Sequence, residues 1–363
     1  MATIKQSNKK IVKTNSSEHR RYWQVTLTFL LILLIFAIIA SISIGYTSIP
    51  FANVVKVFIN NTPLLNSLFH FPVTAIESTL ILEVRFPRAI CAVLVGAALA
   101  MAGTVYQGLF RNPMAEPYTI GASSGAALGA TVSIVLGVSI TLLGVKTLPF
   151  FAFIGCLLTV LVVYSISKVG TKVPVQTLLL SGIAISIFLS AIVNYFQSLY
   201  PDELRQSTFW LMGSFSYTEW IDVWTVLPLI LIGAIAVYLY SRDLNLLALG
   251  EDEATHLGVD LERMKKILLV SSALITAAAV SISGLIAFVG LIIPHVTRLI
   301  ISPDHRLLIP SSALMGAIFL VVCDSIARVI ISPAELPVGV ITAICGGPFF
   351  LYLMRRKKKL DAA

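Results

Sequence analysis

The chain has 363 residues, of which 57% are hydrophobic and 12% are charged, and its formal net charge is +8. Soluble globular proteins carry about 25% charged residues, so this chain has too few charges to cover the surface of a soluble fold. The positive charge does not indicate nucleic-acid binding. The lysines and arginines lie at the two ends and in short loops, with no basic stripe interleaved with aromatic residues.

Apolar runs of about 20 residues recur along the whole chain, and runs of that length are typical of transmembrane helices. Lipid offers a bare backbone no hydrogen-bond partner, which favours helices, and we find no alternating segments of the kind that mark a β-barrel. The sequence therefore predicts an all-α membrane protein, a ten-span polytopic helical bundle with both termini cytoplasmic. The predicted spans are 23–45, 87–109, 118–138, 147–168, 176–198, 221–241, 266–285, 287–301, 308–329 and 336–354.

The positions of the basic residues support this topology. With both termini inside, 20 of the 26 lysines and arginines lie on the cytoplasmic side, in agreement with the positive-inside rule. We assign no function to the basic N-terminal segment 1–22. Residues 23–354 form one transmembrane domain, and 355–363 form a basic cytoplasmic tail. The first apolar run is longer than the core of a secretory signal, so we predict an uncleaved span.

Three arginines lie at the predicted outer ends of spans. Arg85 and Arg88 flank Pro87 where the second span begins, and Arg328 follows Asp324 by one helical turn near the end of the ninth. They could anchor helices at the membrane interface, or Arg328 could pair with Asp324. They could also bind an acidic partner from outside, because guanidinium groups pair well with carboxylates.

The stretch RNPMAEPYTIGASSGAALGA, residues 111–130, interrupts the apolar pattern with charges and prolines. The prolines predict a cytoplasmic turn over 111–117, between the second and third spans. The small residues that follow include a G-x-x-x-G formed by Gly125 and Gly129. Small residues let helix backbones approach closely in lipid, so we predict tight packing of the third span.

The same stretch contains Gly121–Gly125, which fits the G-x-S-x-G pattern of a serine nucleophile elbow. An intramembrane serine protease could pair Ser123 or Ser124 with His295, which lies in the eighth span. The elbow requires a strand before its helix, and none is predicted there. Close packing is therefore the favoured interpretation of the pattern, with the protease as an alternative.

The fifth span carries a small and polar stripe, because Gly182, Ser186, Ser190 and Asn194 recur every four residues and share one helix face. Such a stripe either hydrogen-bonds neighbouring helices or lines a water-accessible path. The residues alone leave both possibilities open.

The longest predicted cytoplasmic loop, 241–266, reads SRDLNLLALGEDEATHLGVDLERMKK. Gly250 and Gly258 divide it into short helices. Its apolar residues should bury one face on another surface, while its acidic residues would be repelled by anionic lipid. The loop therefore favours a cytoplasmic protein partner.

Motifs of other functions are absent from the sequence. The chain lacks G-x-x-x-x-G-K-[ST], so it does not bind a nucleotide by that route. Few acidic residues lie within the spans, which disfavours a secondary transporter that uses a proton relay. The four cysteines lie in apolar segments without metal-ligand spacing, which predicts buried structural thiols. They are Cys91, Cys156, Cys323 and Cys345.

From about residue 85 to residue 353 the chain resembles the FecCD-type permeases of ABC importers for iron–siderophores and cobalamin. The motifs that carry the resemblance are RFPRAICAVLVGAALAMAG, RNPMAEPYTIGASSGAALGA, LGEDEATHLGV, GLIAFVGLIIPHVTRL, PDHRLLIP and ELPVGVITAICGGPFF. Their number, length and order make the resemblance specific.

The resemblance implies a transport subunit in a bacterial cell membrane that is not an enzyme and binds no metal or cofactor of its own. It implies a second permease subunit, two cytoplasmic ATPases that bind ATP, and an extracytoplasmic substrate-binding protein. Related permease genes often occur in pairs, which favours a heterodimer over a homodimer. Ferric siderophores are the favoured substrates, with haem and cobalamin as alternatives.

The resemblance also implies roles for single residues. ATPase coupling falls on the loop at about 242–264, at Leu249, Gly250, Glu251, Ala254, Leu257 and Gly258. Docking of the binding protein falls on Arg85, Arg88 and Arg328. The translocation path falls on Ser186, Ser190 and Asn194.

Overall fold

The computed structural model describes residues 2–62, 67, 71–137, 141–142, 145–170 and 173–360. These residues are predominantly helical. The helices are α1 Ala2–Ser43, α2 Phe51–Asn61, α3 Ala75–Thr79, α4 Phe86–Leu109, α5 Ala122–Val135, α6 Thr147–Ser167, α7 Val175–Leu199, α8 Leu204–Leu211, α9 Trp220–Leu239, α10 Ser241–Leu247, α11 Glu251–His256, α12 Leu261–Ser283, α13 Val289–Ile300, α14 His305–Ala327 and α15 Val338–Leu360. A π-helical turn, Leu80–Arg85, joins α3 to α4, and a 3-10 turn, Pro117–Ile120, precedes α5.

Seven helical stretches in the described part of the chain are long and apolar enough to cross a membrane. They are Arg20–Ser43, Ala75–Leu109, Thr147–Ser167, Val175–Leu199, Trp220–Leu239, Leu261–Ser283 and His305–Ala327. The chain is therefore a multi-pass membrane protein.

Three shorter apolar helices fall on the remaining predicted spans, the third, eighth and tenth. They are Ala122–Val135, Val289–Ile300 and Val338–Tyr352. At 1.5 Å per residue, the 14 residues of α5 and the 12 of α13 extend about 21 and 18 Å. Both helices are therefore shorter than the ~30 Å hydrocarbon core of a bilayer.

Helices α4 and α14 form the central pair of the bundle and run antiparallel. They touch backbone to backbone, since a Cβ on Gly96 would overlap the carbonyl of Gly316. Arg88 meets Asp324 at one end of the pair, and Gly108 meets His305 at the other. We call the first the arginine end. The second, which also holds the segment 241–260, is the loop end.

The second membrane helix begins earlier than predicted. It starts at Ala75 rather than at residue 87, and a capping box formed by Thr74 and Glu77 fixes its first turn. Pro87 suggested a helix start because proline inside a helix removes a hydrogen bond and clashes with the preceding turn. Here the wider π-helical turn ends at Arg85, so the helix passes through Pro87 without ending.

The prediction of close packing around the third span is confirmed. A Cβ on Gly125 would overlap Thr159 and the carbonyl of Gly155, and a Cβ on Gly129 would overlap the carbonyl of Phe151. All three contacts lie on α6. A short antiparallel hairpin, β1 Thr141–Leu142 with β2 Val145–Lys146, connects α5 to α6.

Candidate functional site

The loop between α9 and α12 folds into the two short helices α10 and α11, as the two glycines predict. Gly250 has φ of 144° and Gly258 has φ of 88°, values that favour glycine. Gly258 ends α11 in a Schellman motif, because its N–H donates to the Thr255 carbonyl and the next N–H donates to the Ala254 carbonyl.

The predicted coupling residues divide between a base and an outer surface. Ala254 and Gly250 are buried and support the loop from beneath. Leu249 and Leu257 are 63% and 59% exposed, and Gly258 is exposed beside them. The loop end therefore presents an apolar surface on a folded support, a geometry suited to a protein partner.

Glu251 is exposed but its carboxylate turns back toward the bundle. Lys265 Nζ of α12 lies 2.9 Å from Glu251 Oε1. The ion pair fixes the start of α11 against α12. Within this structure, Glu251 holds the loop in place, and its role toward a partner stays a prediction.

At the arginine end, two arginines satisfy the carbonyls that end α1. Arg85 donates to the Ile42 carbonyl at 2.7 Å, and Arg328 donates to the carbonyl and hydroxyl of Ser41 at 2.9 and 2.6 Å. The last four carbonyls of a helix lack intrahelical partners, and cations are favourable near them. These two side chains therefore lock the end of α1 to α4 and α14.

The third arginine bridges two acids. Arg88 Nη2 lies 2.8 Å from Asp324 Oδ1, and its Nη1 lies 2.8 Å from Glu335 Oε2. Glu335 also accepts a hydrogen bond from Ser216. Partial burial raises the pKa of Glu335, but Arg88 and Ser216 lower it by more, so the pKa of this carboxyl lies below its ordinary value. Arg328 approaches Asp324 as well, with 3.2 Å between Nε and Oδ2.

The guanidinium groups of all three predicted docking arginines thus bind acceptors within this chain. Arg85, Arg88 and Arg328 are 7%, 8% and 6% exposed. The Asp324–Arg328 pair that the sequence left open is present. Direct docking through the three guanidinium groups stays a prediction, and their contacts in this structure are structural.

The stripe on α7 is only partly engaged. Gly182 is buried and packs on the Thr119 carbonyl, and Gln197 donates to Ser207 of α8 at 3.0 Å. Ser186 is half-buried, whereas Ser190 and Asn194 are exposed. The half of the stripe that contains Ser190 and Asn194 is therefore open on the surface of the single chain.

The stretch 111–117 connects the second and third spans, as predicted, but it does not stay at the end of the bundle. The chain leaves α4 at the loop end, with Arg111 in the left-handed region at φ of 49°. It then returns inward, because a Cβ on Gly290 would lie 2.6 Å from Pro117 and 2.9 Å from the Leu99 carbonyl. Leu99 lies 10 residues before the end of α4 at Leu109, about 15 Å along the helix.

Sequence reasoning missed the roles of Glu116 and Tyr118. The Tyr118 hydroxyl donates to the Ile286 carbonyl at 3.0 Å and accepts from the Ile286 N–H at 3.1 Å. The Glu116 carboxylate lies near the backbone N–H of Phe288, and Phe288 caps α13 with φ of 69°. Tyr118 therefore holds the broken segment between α12 and α13. Glycine and proline marked both segments as irregular, but no local signal paired them.

The serine motif is not a nucleophile elbow. Ser124 is buried and donates to the Gly121 carbonyl at 3.1 Å, and a 3-10 turn, not a strand, precedes the helix. In the described part of the chain, His295 makes no hydrogen bond with Ser123 or Ser124. The geometry therefore does not assemble a serine–histidine pair.

The cysteines differ from the prediction at one position. Cys91, Cys156 and Cys323 are buried free thiols, but Cys345 on α15 is exposed. The prediction of a buried thiol at 345 is wrong, because no other helix in the described residues covers that face of α15.

Residues 33–356 match the model of the FecCD transport family. The chain belongs to the FecCD family. It is 44% identical over 290 residues to a cobalamin import system permease of Halobacterium salinarum, covering 80% of this chain and 76% of that protein. It is 40% identical over 338 residues to a hemin transport system permease of Yersinia pestis, covering 93% and 97%.

A solved ABC transporter of the metal-chelate type, in an inward-facing conformation, is similar in structure. The TM-score is 0.76 and the identity 32%, covering 91% of this chain and 98% of that one. This FecCD protein is therefore an ABC importer permease, a transport component rather than an enzyme, and the resemblance seen in its motifs is confirmed.

Proposed function

We propose that this FecCD permease imports a metal chelate across a bacterial inner membrane, through a path that it forms with a second permease subunit. The loop end faces the cytoplasm and binds one of two ABC ATPases. The arginine end faces outward and receives a substrate-binding protein. The observation that carries the proposal is the exposed apolar surface of Leu249 and Leu257 on a buried support, in a chain of this family.

The proposed orientation follows from charge. Residues Arg242, Arg263, Lys265 and Lys266 surround the loop end, and a basic tail ends the chain. The positive-inside rule places such residues in the cytoplasm. With α5, α13 and α15 counted as spans, the chain crosses the membrane ten times and both termini lie inside.

The open half of the α7 stripe supports the second subunit. Ser190 and Asn194 are exposed on a single chain, and polar side chains in membranes normally face the protein interior or a water-filled cavity. A second permease placed against α7 would enclose them. Ser186, Ser190 and Asn194 would then line the path between the two subunits.

Docking of the binding protein is proposed at the surface that the buried arginines support. Arg85 and Arg328 fix the end of α1, and Arg88 fixes Glu335 beside Ser216. A surface held this rigidly could recognise a partner without reorganising. The three guanidinium groups would then support docking indirectly, because they hold the surface of the arginine end in the shape that the binding protein recognises.

The relatives shift the proposed substrate. Two of them are named for cobalamin and for hemin, both metal-bound macrocycles, whereas the family resemblance favoured ferric siderophores. We propose a metal macrocycle as substrate, with a ferric siderophore as the second candidate. Uptake of cobalamin, hemin and a ferric siderophore into vesicles that contain the complete transporter would decide, and saturable uptake of the siderophore alone would reject the macrocycle.

Replacing Leu249 and Leu257 together by glutamate should abolish co-purification of the ATPase, because charges would replace its apolar contact surface. Tyr46→Glu is the matched control, since Tyr46 is 76% exposed but follows α1 at the arginine end, far from the loop. Retention of the ATPase by the double variant, measured by pull-down from detergent-solubilised membranes, would contradict the proposed coupling surface.

A further inference from the structure

Asn245 connects α10 to the start of α14 through every polar atom of its side chain. Its Nδ2 donates to Asp304 Oδ1 at 2.7 Å. Its Oδ1 accepts from the backbone N–H of His305 at 2.8 Å and lies 2.8 Å from His305 Nδ1. An amide oxygen can only accept, so the imidazole ring carries a proton on Nδ1. One side chain thus holds both residues at which α14 begins.

The helix that carries Asn245 is seated firmly. Leu244 and Leu247 are fully buried. A Cβ on Gly108 of α4 would lie 3.2 Å from Leu244 Cδ2 and 2.8 Å from His305 Nε2. Helices α4, α10 and α14 therefore meet around Gly108, and Asn245 supplies the polar part of that junction.

The junction lies at one end of a pair that crosses the whole molecule. Helices α4 and α14 touch at Gly96 and Gly316, and Arg88 ties their other ends together through Asp324. Because the two helices are joined at both ends, a displacement of α14 at the loop end must either shift the contacts at the arginine end or be opposed by them. Packed elements of this kind can carry coupling between distant sites when both sites bias their arrangement.

We infer that Asn245 is the positioning residue through which movement of the α10–α11 loop reaches the α4–α14 pair. The inference rests on the proposed function, in which the ATPase moves that loop. The side chain of Asn245 bonds to Asp304 and His305, on the side of α14, and not to the exposed surface of Leu249 and Leu257 that is proposed to bind the ATPase. It converts movement of that surface into movement of α14.

The buried side chains of Leu244 and Leu247 could transmit the same movement through apolar packing alone. The variant Asn245→Leu distinguishes this route from transmission through the hydrogen bonds of Asn245. Leucine is close to asparagine in size and keeps apolar contact, but it removes all the hydrogen bonds to Asp304 and His305. If apolar packing alone transmits the movement, this variant transports normally.

The test uses the complete transporter, with its ATPases and binding protein, reconstituted in liposomes. We expect Asn245→Leu to keep the ATPase bound and to lower both substrate uptake and the stimulation of ATP hydrolysis by loaded binding protein at least fivefold. Asn53→Ala is the matched control, because it removes a hydrogen bond from an asparagine to a carboxylate, at Glu77, at the arginine end. Uptake by Asn245→Leu within twofold of the wild type would overturn the inference.

A second variant keeps the test decisive if Asn245→Leu does not assemble. Asn245→Asp keeps an acceptor for His305 but places a carboxylate against Asp304 Oδ1, so uptake should fall at least fivefold. Uptake by Asn245→Asp within twofold of the wild type would contradict the inference. Failure of the wild-type complex to bind an ATPase or transport would instead reject the proposed function.

Discussion

The ion pair between Arg88 and Asp324 places two charges where neither reaches solvent, since Asp324 is 1% exposed. Removing one partner of a buried pair costs about 3–5 kcal/mol when the other charge is left uncompensated. Arg328 still lies 3.2 Å from Asp324, between Nε and Oδ2, so Arg88→Ala should lower the free energy of unfolding by an amount at the lower end of that range, about 3 kcal/mol. Denaturant titration in detergent micelles measures it, and Arg20→Ala, at an exposed position, is the control and should change it by less than ~0.5 kcal/mol.

The same variant distinguishes the two roles proposed for the arginines. If Arg88→Ala unfolds like the wild type and yet loses affinity for the binding protein, direct docking is correct and the structural role is not. Reduced stability together with reduced docking supports a surface that the arginine holds in shape.

Tyr118 satisfies two backbone groups of a single residue, Ile286. Phenylalanine would fill the same space and leave the N–H and the carbonyl without their partner. Leaving a buried polar group unsatisfied costs about 1–3 kcal/mol, so Tyr118→Phe should lower the free energy of unfolding by at least that much. Tyr200→Phe, at an exposed tyrosine, is the control, and equal effects of the two variants would show that the contact to Ile286 contributes nothing.

The sequence identified the arginines at the outer ends of spans and one nearby partner, Asp324 for Arg328, but not the partners that lie far apart in the chain. Arg328 and Ser41 are 287 residues apart, and Arg88 and Asp324 are 236 apart. The acceptors of Arg85 and Arg328 are largely backbone carbonyls, which every residue possesses and which therefore leave no trace in the sequence. Residue type alone predicted a charge-pairing role, and only the fold decides whether the pairing is internal.

At the scale of helices, the contact between α4 and α14 depends on glycine at one crossing. A Cβ on Gly96 would overlap the Gly316 carbonyl, whereas a Cβ on Gly347 meets nothing within 4 Å. Gly96→Leu should therefore separate the pair and lower the yield of folded protein. Gly347→Leu should be tolerated. Size-exclusion chromatography of both variants tests this, and a normal profile for Gly96→Leu would mean that α14 can shift without loss of the fold.

Helical elements set by local chemistry were predictable, and those set by distant contacts were not. Gly250 and Gly258 determine the ends of α10 and α11 through their own φ angles, so the two short helices could be read from the sequence. The inward path of 111–117 depends on Pro117 packing against Gly290, a contact between segments far apart in the chain. The proline pattern indicated an interruption but not its direction.

For the whole molecule, the exposed half of the α7 stripe should contact water in the assembled transporter. In a Cys345→Ala background, which removes the exposed thiol, a water-soluble maleimide should label Ser190→Cys at least fivefold faster than Leu231→Cys. Leu231 is 51% exposed on α9, on a face expected to meet lipid. Equal labelling rates at the two positions would exclude a water-accessible path along α7.

The attachment of α1 by Arg328 sets the order in which the protein can be completed. Residue 41 is synthesised early, and its guanidinium partner follows only after 287 further residues. Until α14 enters the membrane, the carbonyl and hydroxyl of Ser41 lack that donor, whichever helices are already in place. Closure of the arginine end is therefore among the last events of biogenesis. A chain cut short before α14 would leave the end of its first membrane helix held by Arg85 but not by Arg328.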